Sequence, residues 1–138
     1  GPLESTLKSK SLELGIGGRV RFLGWRTDID ALMLSADILV CPSRHEPLGN
    51  IILEAWARGL PVIAANSMGP RNLIRDGKDG VLFPVDNVEL LSQSIKELAD
   101  VPDLCTKIGE AGKLTYLEKF SEKIVVDQYI DFFSEIIN

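Results

Sequence analysis

The chain predicts an α/β domain, a Rossmann-like parallel sheet with helices on both faces. Three observations carry that expectation. Short, wholly apolar runs at Ile38-Leu39-Val40-Cys41, Pro61-Val62-Ile63-Ala64-Ala65 and Val81-Leu82-Phe83 read as strands buried on both faces. Segments with apolar residues at helical spacing alternate with those runs. The connections are brief, with no linker and no internal repeat, which is the pattern of a parallel sheet covered by helices. With a shorter alternating run at Val20-Arg21-Phe22-Leu23, about four strands are expected.

Each element has a local reason. Gly1-Pro2-Leu3-Glu4 reads as a cleavage and cloning remnant and is set apart from the fold, which is expected to occupy residues 5–138. Residues 5–14 suit a polar helix stopped by Gly15 and Gly17-Gly18. Val20–Leu23 leads to a loop at Gly24. Asp28 to Ala36 places Ile29, Leu32, Met33 and Ala36 on one helical face, with Thr27 or Asp28 as N-cap. Residues 49–58 form a helix with Ile51, Ile52, Ala55 and Trp56 together, and Gly59 stands at its C-cap. Pro70 to Arg75 is a short helix, and Asp76-Gly77 and Asp79-Gly80 are turn pairs. Helices follow at about 87–99, 102–118 and 122–137, the last packing through Ile124, Val125, Tyr129, Ile130, Phe133 and Ile136.

Composition limits the function. At 138 residues the chain is one ordinary domain, and 45% apolar with 25% charged residues excludes disorder. A net charge of −5 argues against nucleic-acid binding driven by bulk charge, while still allowing a local phosphate pocket. No apolar run approaches the roughly 20 residues of a membrane span. Cys41 and Cys105 make neither a disulfide framework nor a zinc cluster. A cytoplasmic protein is expected.

Ligands of open parallel sheets bind at the carboxyl ends of the strands. The richest such loop is residues 42–50, Pro-Ser-Arg-His-Glu-Pro-Leu-Gly-Asn, which runs from a strand end into a helix start. Leu48, Gly49 and Asn50 would present free backbone N–H groups there, and the helix dipole adds to their attraction for a phosphate. An ordinary glycine turn fits the same residues. Glu54, between Leu53 and Ala55-Trp56 in a segment made for burial, needs partners, and sugar hydroxyls would serve. Complementing the helix dipole is its simpler role. Gly15-Ile16-Gly17-Gly18 precedes a strand and opens no helix, so it reads as a helix stop.

The run His45-Glu46-Pro47-Leu48-Gly49-Asn50-Ile51-Ile52-Leu53-Glu54-Ala55-Trp56-Ala57-Arg58-Gly59-Leu60-Pro61-Val62-Ile63-Ala64 closely resembles the signature of the family 4 retaining glycosyltransferases of GT-B fold. It has two glutamates separated by seven residues, Pro-Leu-Gly after the first, and Ala-x-Ala-x-Gly-x-Pro-Val after the second. The resemblance continues through Val20–Gly24, Ala36-Asp37-Ile38, Pro42-Ser43 and Gly80–Pro84, and covers about residues 12–137.

What the resemblance implies is concrete. The chain would be the C-terminal, nucleotide-sugar-binding lobe of an enzyme that transfers a sugar from a UDP- or GDP-type donor with retention of configuration. Glu46, the residue assigned to catalysis, would hold donor-sugar hydroxyls, with His45 nearby. Leu48, Gly49 and Asn50 would bind the diphosphate, Glu54 the ribose, and Gly24 and Trp25 the base. Ordinary edge packing remains open for Trp25. No cofactor and no catalytic metal are implied, since the nucleotide-sugar is a substrate, and His45 as the sole histidine defines no metal site.

Asn72 stands where the family usually has glutamate. Two strand–helix units that open the family's lobe are absent except for the helix at 5–14, as is the N-terminal lobe with its acceptor site. The fragment is therefore expected to be inactive alone. The Val20 and Ile38 strands should either pair directly or have the sheet completed by another chain, through self-association at exposed strands. A peripheral membrane site on the full enzyme and a glycan acceptor come from the family alone. The alternative reading is a non-catalytic module of the same fold that uses its surface for protein contacts.

Overall fold

The computed structural model describes residues 1–137. It divides into two compact units, Gly1–Asp30 and a larger one that starts at Ala31.

In the smaller unit, α1 (Glu4–Glu13) is polar, with Glu4 of its first turn paired to Lys8 at 2.6 Å. Glu4, assigned to the remnant by sequence, thus opens this helix. Gly15 at φ +69° ends it, where the Gly15 and Ile16 N–H groups bond back to Leu12 and Ser11. A single 3-10 turn at Gly17–Arg19 follows. The expected strand at Val20–Leu23 does not form. Its backbone finds no ladder among the described strands, and Phe22 and Leu23 are exposed. Alternation makes a strand only where a partner accepts it.

Beyond α2 (Ile29–Leu34), the larger unit is built on three parallel strands rather than about four: β1 (Leu39–Cys41), β2 (Val62–Ala65) and β3 (Val81–Phe83), in the order β1-β2-β3. Val40 pairs with Ile63, and Ala64 with Leu82. The expected direct pairing of the Val20 and Ile38 segments finds no ladder among the described residues. Because β1 and β3 are edges, only their last residues, Cys41 and Phe83, are buried. The expectation of full burial holds for β2 alone, whose four residues are all inaccessible.

Successive side chains of a strand point to opposite faces, so β2 feeds two cores. Val62 and Ala64 join Ile52, Ala55 and Trp56 of α3 (Asn50–Ala57), together with Leu60 and Ile74. Ile63 and Ala65 join Phe83, Leu98 of α5 (Val88–Asp100) and Ile108 of α6 (Pro102–Lys119). Asn87 caps α5 through its side chain, which accepts from the Leu90 N–H at 2.9 Å. Gly109 and Gly112 let α6 lie directly against Gly59 and the Trp56 ring. The short α4 (Met68–Leu73) leaves the carboxyl end of β2.

The last helix, α7 (Glu122–Ile137), corrects an expectation. It buries no residue, and Tyr129, Ile130, Phe133 and Ile136 are all more than half exposed. Its apolar stripe is real, but only its start at Ile124 and Val125 is half-buried, and among the described residues nothing buries the rest.

Candidate functional site

The loop from Pro42 to Gly49 leaves the carboxyl end of β1 and enters α3. Its geometry depends on two glycines. Gly49, the N-cap, sits at φ +80°, where a Cβ would also come within 2.8 Å of Leu73. Gly69, on α4, lies so close beneath the loop that a Cβ would stand 2.6 Å from the Glu46 carbonyl oxygen and 2.9 Å from the Gly49 nitrogen. The Gly69 N–H donates to that same Glu46 carbonyl at 2.7 Å. The loop is therefore braced from below by backbone, with no side chain intervening.

Glu46 turns its carboxylate back onto the helix start, where Oε1 accepts the Gly49 N–H at 3.0 Å. This corrects one expectation, since the Gly49 N–H is taken. The N–H groups of Leu48, Asn50 and Ile51 find no acceptor among the described residues. A helix start with orphan donors and a favourable dipole attracts negative charge. Here the chain's own carboxylate supplies it.

Glu54 lies farther along α3 and is exposed, not embedded as the flanking residues suggest. The helix turns Ile52, Ala55 and Trp56 inward and leaves Glu54 outside. Its carboxylate makes no hydrogen bond or ion pair among the described residues. With Asn50, Leu53, Ala57, Arg58 and Tyr116 of α6 it lines a recess of about 580 Å³. The Arg58 guanidinium donates to the Glu54 carbonyl oxygen. A larger recess, about 780 Å³, opens at the free edge of β1 among Ile38, Val40, Leu98 and Pro102. No residue of the strand-end loops lines it, and its walls are mainly apolar.

Glu46, Leu48, Gly49 and Asn50 thus share one loop, with Glu54 on the helix it opens. His45 is exposed beside Glu46. Gly24, at φ +64°, and Trp25, 94% exposed, belong to the smaller unit. Asn72 is exposed on α4. Burial pushes the Cys105 thiol above its ordinary range, and the charge of Asp37 adds to the effect.

Sequence reasoning passed over several residues. Gly69 could have been suspected from a Gly-Pro pair just past a strand end. Ser67, two residues earlier, has a buried hydroxyl with no hydrogen-bond partner among the described residues. Arg44 pairs with Asp86 at 2.6 Å across 42 residues, a contact no local pattern announces.

Fold and loop together define a class: a Rossmann-like α/β domain with an anion-receiving helix start at the carboxyl end of its sheet. Comparison with known proteins narrows that class. Residues 1–115 match the family described as Glycosyl transferases group 1, and the chain belongs to it. It is 36% identical over 130 residues to the lipopolysaccharide core biosynthesis glycosyltransferase LpsE of Rhizobium meliloti, covering 94% of this chain and 38% of that protein. To LpsD of the same organism it is 35% identical, covering 96% of this chain and 39% of the relative. The chain therefore spans under two-fifths of the length of these relatives. Among solved structures, Anabaena HepE in complex with UDP superimposes with a TM-score of 0.90 at 28% identity, covering 95% of this chain and 36% of that one. The fold is that of the GT-B glycosyltransferases. No helix among the described residues is long and apolar enough to cross a membrane.

Proposed function

We propose that the full-length protein transfers a sugar from a nucleoside-diphosphate donor to an acceptor with retention of configuration. In this reading the chain forms part of the donor site and is inactive alone. The observation that carries the proposal is the helix start at Gly49, where a carboxylate already occupies one donor while the N–H groups of Leu48, Asn50 and Ile51 remain open. The family and the UDP complex of HepE support a diphosphate as the ligand.

Binding then exchanges one anion for another. The diphosphate takes the orphan N–H groups, and Glu46 swings from Gly49 to the hydroxyls of the donor sugar. As the bond to the diphosphate breaks, charge grows on its oxygens, and donors aimed at that charge lower the barrier. Glu46 fixes the sugar so that the acceptor attacks from the leaving-group side. Glu54 accepts from the ribose hydroxyls, and His45 lies near the sugar. Binding energy collected there is spent on orientation. Neither glutamate need act as a base, and no step calls on a metal.

A panel of UDP, GDP and ADP titrated calorimetrically into the full-length protein tests this. One diphosphate should bind selectively, and Glu54→Ala should weaken it by about 1.5–3 kcal/mol, the worth of a hydrogen bond to a charged acceptor. If none of the three binds, the donor-site reading is wrong.

A further inference from the structure

We propose that the Arg44–Asp86 ion pair is a clasp that positions the donor loop; this rests on the donor-site reading above. Arg44 leaves β1 two residues before Glu46, and Asp86 follows β3. The two loops emerge at the carboxyl ends of the outer strands of the sheet, with β2 between them. Arg44 Nε donates to Asp86 Oδ1 at 2.6 Å and closes the span between those outer loops. Gly69 braces the Glu46–Gly49 segment from beneath, and the Asn66 N–H, at the exit of β2, bonds to the Phe83 carbonyl at 2.8 Å. The exits of all three strands are thereby tied into one rim, and among the described residues the Arg44–Asp86 pair is its tie between side chains of two different strand exits.

Asp86 is also, among the described residues, the one non-glycine in the left-handed region, at φ +64°. Glycine takes that conformation freely, and aspartate tolerates it better than most residues but under strain. At this position aspartate costs the turn something, and what it brings is a carboxylate facing Arg44. Strain kept at the rim of a site is a reason to look for a role there. Both side chains are largely exposed, 71% for Arg44 and 61% for Asp86, so the pair is weak as a stabiliser of the fold. A weak tie on a surface loop acts through preorganisation, by reducing the freedom the loop loses when a ligand arrives.

Asp86→Gly separates the two roles, because glycine suits the turn and removes only the carboxylate. In the full-length protein at low salt, its affinity for UDP should fall about two- to five-fold, the range of an exposed ion pair. Its thermal midpoint should stay level or rise. Arg44→Ala should show the same loss, the double variant no more than either single one, and Arg44→Lys should recover most of the affinity. The differences should vanish at about 1 M salt, where the screening length is about 3 Å. Asp86→Gly binding UDP as tightly as wild type overturns the clasp, as do losses at the two positions that multiply independently. A wild type that binds no diphosphate overturns the donor-site reading and the clasp with it.

Discussion

Asp79 is fully buried, and every atom of its carboxylate is used. Oδ1 accepts the Arg75 N–H at 2.7 Å, while Oδ2 accepts Arg75 Nε at 2.6 Å and the Thr115 hydroxyl at 3.0 Å. Its carbonyl takes Trp56 Nε1 at 2.9 Å. One residue of a turn therefore fastens the approach to β3 to both α3 and α6. Breaking a buried ion pair costs about 3–5 kcal/mol when the survivor is left buried. Arg75 is 56% exposed and can rehydrate, so the smaller figure for a charged hydrogen bond, about 1.5–3 kcal/mol, is expected for Asp79→Ala in urea unfolding. A change within about 0.5 kcal/mol, ordinary for surface positions, would mean the network holds nothing. At this scale legibility follows sequence distance. That Glu46, Leu48, Gly49, Asn50 and Glu54 share one loop and the helix it opens is readable because they are close in sequence, whereas the exposure of Glu54 is not. Asp79 reads as a turn residue, and neither its partner Thr115 nor the bracing of Glu46 by Gly69 leaves a mark in neighbouring residues.

The elements show where local pattern stops being enough. Helix positions are legible to within about two residues, as the periodicity and the glycines past the helix ends, Gly15 and Gly59, dictate them. Burial of a strand is a property of its neighbours. Leu39-Val40 and Val81-Leu82 are apolar enough for a sheet centre, yet they are edges here and only half-buried. Val20–Leu23 alternates like a strand and finds no ladder. The α3–α6 contact is likewise invisible in sequence, though glycines make it. A Cβ on Gly112 would stand 2.4 Å from the Trp56 ring, and one on Gly109 would stand 2.3 Å from the Gly59 carbonyl oxygen. Alanine would gain about 1 kcal/mol of helix propensity. Overpacking typically costs about 1–3 kcal/mol, and neither a buried indole nor a backbone carbonyl can step aside. Gly109→Ala and Gly112→Ala should each lower the melting temperature. A stabilised variant at either position would show that the two helices have room to part.

For the whole molecule, the apolar surface left open is the property that reaches furthest. On α7, Tyr129 stacks near Phe133 with ring centroids 6.4 Å apart, and Phe132 meets Phe133 edge-on at 5.5 Å, all three more than half exposed. Ile130, Ile136 and Ile137 extend that surface. β1 adds an unpaired edge beside the apolar recess of about 780 Å³. Monomeric domains rarely leave contiguous apolar patches beyond a few hundred Å² uncovered, and bare edges invite pairing. The chain spans 38% of LpsE, so a protein of the relatives' length has further chain that could meet these surfaces. Prepared alone, the 138-residue chain should associate as its concentration rises in sedimentation velocity. Ile130→Lys with Phe133→Lys should return it to a single slow species without loss of helix signal, because neither side chain belongs to either core. Association that survives the pair of lysines would point to the edge of β1. A chain that stays monomeric from micromolar to millimolar concentration would show that neither surface is adhesive, and that α7 tolerates water despite its stripe.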